Sequence, residues 1–111
     1  MPLKRTFCLT LSFFFLLWGL VAFTNESSKQ IEQIDNQIQE LQEMKRGFES
    51  RALRHDNQAE RLQFEDQAVL ETRRHLELAD ENRAKAAAVQ EEIDRLEAKK
   101  QQLLRTTKKT R

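Results

Sequence analysis

Residues 31–76, IEQIDNQIQELQEMKRGFESRALRHDNQAERLQFEDQAVLETRRHL, decide how this chain folds. Their apolar residues recur with a period of seven rather than two. With Ile31 at position a, position d holds Ile34, Leu41, Phe48, Leu62, Val69 and Leu76, interrupted only by His55. Position a is weaker: Ile31, Ile38, Ala52 and Ala59 share it with Lys45, Asp66, Arg73 and Asp80. A seam repeating every 3.5 residues on average is the signature of a coiled coil, in which each helix buries one narrow stripe.

A second frame follows. Ala79, Ala86 and Ile93 repeat every seven residues, as do Val89, Leu96 and Leu103, but this set is offset by one residue from the first. One strict heptad cannot contain both, so the spacing predicts a change of register near residues 76–82. The segment AKAAA at 84–88 favours helix strongly, which argues against a break there. The reading is a single coiled-coil rod over 31–104 with a shifted seam. The alternative is a helical hairpin turning at Gly47, where Lys45 and Arg46 precede the glycine as at a helix C-terminus.

Composition supports an all-α chain. Of 111 residues only two are Gly and one is Pro, so the turns that a sheet requires are missing. The strong hydrophobes gather at the N-terminus, where Phe7–Phe23 (FCLTLSFFFLLWGLVAF) carries no charge. Seventeen residues make a helix of about 25 Å, slightly under a ~30 Å hydrocarbon core. Residues 7–24 are therefore expected to be a transmembrane signal-anchor, preceded by a short basic cytoplasmic segment at 1–6 and followed by a polar junction at 25–30. Ser27 and Gln30 in that junction have the spacing of a capping box. Lys4 and Arg5 before the run, against Glu26, Glu32 and Asp35 beyond it, set the expected topology: N-terminus in the cytoplasm, rod outside it, in the periplasm if the cell is bacterial. The competing reading is a cleaved signal peptide that releases a secreted or periplasmic helical protein.

Charge divides the chain into zones that its formal net charge of +1 conceals. Residues 25–97 hold all 18 acidic groups and 11 basic ones, whereas 98–111 carry Lys99, Lys100, Arg105, Lys108, Lys109 and Arg111 and no acid. In a continuous rod this basic, frayed tail (105–111 at its extremity) stands about 75 residues beyond the apolar run. It has the composition to meet anionic lipid or an acidic partner, and nucleic acid ranks last because no aromatic lies nearby to stack on bases.

Catalytic and ligand-binding signatures do not emerge. The sequence has no phosphate-cradling glycine loop, nucleophile elbow or Cys/His spacing for a metal, and Cys8 is the sole cysteine. On one helix His55 and His75 stand about 30 Å apart and cannot share a ligand. No enzyme activity, cofactor or metal is expected. The expected partners are the bilayer and, through the seam, a second copy or another helical protein. The plan of basic head, single span and coiled coil resembles the small bitopic divisome proteins of the septum-formation-initiator class. The likeness is one of architecture, without a shared motif, and implies a scaffold in cell division or envelope assembly. The alternatives are a soluble, holdase-like helical protein after cleavage, and an inverted tether with the rod and its basic tip in the cytoplasm.

Overall fold

The computed structural model describes residues 3–109, with side-chain surroundings from Glu26 to Lys109. Two helices make up the fold, α1 (Leu3–Leu62) and α2 (Val69–Lys109), joined by residues 63–68. They pack antiparallel as a helical hairpin only 17 × 14 Å across its short axes, a width that leaves room for no third layer. The all-helical expectation stands. The continuous rod does not.

The place where the chain turns explains the two heptad frames. Along α1 every position of the first frame is withdrawn from solvent without a gap: Ile31, Ile34, Ile38, Leu41, Lys45, Phe48, Ala52, His55, Ala59 and Leu62. Along α2 the second frame is withdrawn likewise and carried back to the first turn of the helix: Thr72, His75, Ala79, Asn82, Ala86, Val89, Ile93, Leu96, Lys100, Leu103 and Thr107. The offset is thus not a slip inside one helix near 76–82. Each helix keeps a single register, and the chain reverses between them.

Val69 and Leu76 continue the first frame in sequence but not in space. They are 70% and 47% exposed, because past the turn the buried stripe of α2 follows the other frame. Both are corrected here from seam to surface. Asp66, assigned to an a position, falls in the connection.

The connection is built without Gly or Pro. The amide of Gln63 donates to the carbonyl of Ala59 (3.0 Å) and that of Glu65 to Leu62 (3.0 Å), closing the last turns of α1. Gln67 then takes a positive φ of 79°, a left-handed conformation usually given to glycine. Ala68 is buried at the helix start, and its carbonyl accepts from both the amide and the Oγ1 of Thr72 at 2.9 Å. Arg61 in the last turn of α1 and Glu71 in the first turn of α2 have the signs that the two helix dipoles favour.

Gly47 lies inside α1 and does not turn the chain. A Cβ built on it meets no atom within 4 Å, so neither packing nor backbone geometry calls for glycine there. Ser27 and Gln30 are also interior to α1, so their spacing does not mark a cap. From Glu26 to Lys109, the residues whose side chains are described, no helix is long and apolar enough to cross a membrane. The expected span at 7–24, with its determinants Lys4 and Arg5, lies outside the residues whose side chains are described.

Candidate functional site: the two ends of the hairpin

The seam assigned from sequence is placed as follows. Ile34, Ile38 and Ile93 form a buried cluster against which Leu41, Val89, Leu96 and Leu103 pack. Leu62 is buried at the last turn of α1, and Ile31 and Phe48 are half-buried, with the Arg51 guanidinium 5.5 Å over the Phe48 ring. These residues face each other within one chain. What the seam offers to a partner is therefore already taken up by the hairpin itself, and candidate contact surfaces have to be sought elsewhere.

The loop end is one. Phe64, Leu70 and Val69, in and just after the turn, are 85%, 77% and 70% exposed, and Leu76 two turns further on is exposed as well. A shallow groove of about 340 Å³ runs between Leu62, Val69, Thr72 and Leu76, edged by Glu65 and Arg73. Sequence reading missed this surface because it assigned Val69 and Leu76 to a seam. Phe64, the only aromatic outside the N-terminal run and Phe48, was the available signal.

His55 and His75 are the second departure. They are not separated along one helix. The turn brings their Nδ1 atoms to 3.0 Å, with ring centroids 5.3 Å apart, so the rings meet end to end across the hairpin. One nitrogen donates and the other accepts, the assignment depending on tautomer. A metal held in line between two imidazole nitrogens would need them about 4 Å apart. The contact has the geometry of a shared proton. Among the described residues no three His, Cys, Asp or Glu side chains gather where a metal could bind.

Other polar contacts fix the pairing of the helices. Lys45 donates from Nζ to Gln90 Oε1 at 2.7 Å and Lys100 pairs with Asp35. Ten residues along α1 thus match ten residues back along α2. Arg83 pairs with Asp56 across the hairpin and with Asp80 on its own helix. Asn82, the one buried polar residue among those described, donates from Nδ2 to the carbonyl of Leu78 at 2.7 Å. Within α2, Glu81 pairs with Lys85 at 2.6 Å and Arg95 with Glu92 at 3.2 Å. The Lys85 ammonium, by hydrogen bond and charge, holds the Glu81 carboxyl below the usual range.

The open end is the second candidate surface. The pitch set by Asp35–Lys100 and Lys45–Gln90 puts Lys109 level with Glu26. The basic cluster does not stand at the far tip of a rod. It returns to the part of α1 that in sequence directly follows the apolar run. Lys99, Arg105, Lys108 and Lys109 are exposed there, while Arg111 lies outside the described residues.

Comparison with protein-family models, curated proteins and solved structures finds no match to this chain.

Proposed function

We propose that this chain is a membrane-tethered helical hairpin acting as an interaction protein, with no chemistry of its own. Its apolar run at 7–24 is the anchor, and the hairpin holds the loop end away from the bilayer to engage a helical partner protein. The observation that carries this reading is the distribution of apolar surface. Ile34, Ile38 and Ile93 are buried between the helices, whereas Phe64, Val69 and Leu70 are left exposed together at the loop end. Large apolar side chains left exposed near one turn of an otherwise charged surface are what a docking site presents before its partner arrives. The groove between Leu62, Val69 and Leu76 is open along one side, as an amphipathic helix laid across it would require. Lys4 and Arg5 against Glu26, Glu32 and Asp35 support a cytoplasmic N-terminus with the hairpin on the other side.

The test is site-specific photo-crosslinking in membranes. A photoreactive residue in place of Phe64 or Leu70 is expected to give a discrete protein adduct, and one in place of Glu43, exposed on α1 about midway between the two ends of the hairpin, none. Adducts confined to a second copy would make the hairpin a self-associating scaffold. Equal, diffuse labelling at all three positions would remove the docking role. Intact mass of the membrane fraction addresses the anchor separately: loss of the first 22–24 residues would identify a cleaved signal peptide and a free hairpin.

A further inference from the structure

We propose that the open end of the hairpin is a docking surface for anionic phospholipid headgroups of the membrane that the chain's own apolar run enters. The proposal rests on the anchored reading above and adds a second contact with the same bilayer. Three observations carry it. First, the antiparallel register returns the end of α2 to the level of Glu26, three residues beyond Phe23 in sequence. Second, no acid occurs from residue 98 onward, and among the described cations there only Lys100 is taken up by α1, through Asp35. Third, at about 3.6 residues per turn, Arg105, Lys108 and Lys109 fall on the side of α2 away from Ile93, Leu96 and Leu103. The acids of α1 lie across the seam and cannot neutralise that outer side. Lys99 is exposed at its margin.

A cluster of cations held within a few ångströms of an anionic surface gains from its potential, and the gain fades over a Debye length of about 8 Å at physiological salt. The same residues at the tip of an extended rod would lie far outside that range. The hairpin brings them within it. Their role is to seat the open end on the headgroups and so restrain the tilt of the whole arm. A phosphate-rich surface suits Lys and Arg at this density without a shaped pocket, and an open cleft lies beside them between Asp35 and Lys100.

The experiment uses the full chain carrying Cys8→Ser and Gln102→Cys, labelled with a fluorophore at position 102, on the outer side of the open end. The chain is reconstituted in vesicles of phosphatidylcholine alone, or mixed with phosphatidylglycerol, each doped with a headgroup quencher. A label at Asn57→Cys is the reference. Quenching at position 102 is expected to be stronger in the anionic vesicles and to fall in high salt, while position 57 does not respond. Replacing Lys99, Arg105, Lys108 and Lys109 together by Gln should abolish the difference, each cation shifting the docked-to-undocked ratio by roughly fivefold. All four are exposed, so an unchanged helical circular dichroism signal confirms that the hairpin is intact. Equal quenching in the two vesicle types, or a difference that survives the fourfold variant, overturns the proposal. Flotation separates it from the anchor. A chain that floats with neutral vesicles but shows no anionic preference keeps the anchor and loses the patch. One that floats only with anionic vesicles and leaves them in high salt keeps the patch and loses the anchor.

Discussion

The two halves of the hairpin are held together differently. Toward the open end the seam is aliphatic, with Ile34, Ile38, Leu41, Val89, Ile93, Leu96 and Leu103 packed as one cluster. Toward the loop the same heptad positions hold Ala52, His55, Ala59, Thr72, His75, Ala79, Asn82 and Ala86, with Leu62 the one large aliphatic side chain. Burying an isoleucine side chain contributes roughly 1.5–3 kcal/mol, and an alanine methyl about 0.8. Most of the packing energy therefore lies near the open end. The loop half relies on close approach of small side chains and on pairs such as His55–His75 and Arg83–Asp56 that require one register. Weak packing with specific polar contacts is a device for fixing alignment rather than for adding stability. It also leaves the loop end, with its exposed Phe64 and Leu70, the easier part to open.

The largest effect expected from this division is at the aliphatic cluster. Ile38→Ala or Ile93→Ala should cost about 2–5 kcal/mol in urea unfolding, enough to separate the helices along their whole length. The opposite change probes the loop half. Ala79 has no exposed surface, and Ala79→Leu should cost about 1–3 kcal/mol by forcing the helices apart, with hydrogen exchange rising over 52–62 and 72–86 while the amides of 34–41 stay protected. If both halves exchange together, the hairpin is one cooperative unit and the contrast drawn here is wrong.

The histidine pair gives a smaller, non-additive signal. His55→Leu or His75→Leu alone leaves the other ring half-buried without its partner and should cost about 1 kcal/mol. The double Leu variant should recover that loss and exceed wild type, because it extends the aliphatic seam into the loop half. Additive losses in the double-mutant cycle would show that the rings do not interact.

Two backbone changes should stabilise. Gly47→Ala adds a methyl into open space inside a helix and should gain up to about 1 kcal/mol. Gln67→Gly removes a side chain from a left-handed residue and should gain a few tenths to ~1 kcal/mol, less the extra freedom that glycine gives the unfolded chain. A loss on Gln67→Gly would mean that the Gln67 side chain itself supports the turn. Smallest of all is Glu81→Gln. The depressed carboxyl of Glu81 stabilises the folded state above its unfolded pKa, a contribution lost as pH falls through the folded one. Because the pair with Lys85 is fully solvated, the change in melting should be barely resolved.

Much of this architecture was legible in the sequence, and the part that was not has an identifiable cause. The first frame held at every position from Ile31 to Leu62, including the polar Lys45 and His55. The second frame was equally correct from Ala79 onward. Its first two seam residues, Thr72 and His75, are polar, so the frame became visible only well after α2 had begun. Val69 and Leu76 meanwhile prolonged the first frame by chance, which moved the apparent change to 76–82. The turn itself carried no Gly, Pro or Asn to announce it, because Gln67 takes the conformation those residues usually supply. The basic cluster of the candidate site could be read directly from composition, but its location could not. With the turn unrecognised, the cluster stood at the wrong end of the molecule, and the two histidines stood at a distance instead of in contact.

The sequence by itself determined the helices, the stripe each one buries, the uncharged run at 7–23 and the separation of acidic from basic zones. Those properties follow from neighbours within a turn or two, where side-chain type and spacing act directly. Only the tertiary structure decided that the two stripes cover each other rather than a second molecule, that His55 meets His75, and that the last lysines return to the level of Glu26. These are matters of which residue lies opposite which across two antiparallel helices. That alignment is set by the sum of many weak contacts along the seam and by one left-handed residue in the turn, and no local pattern encodes it.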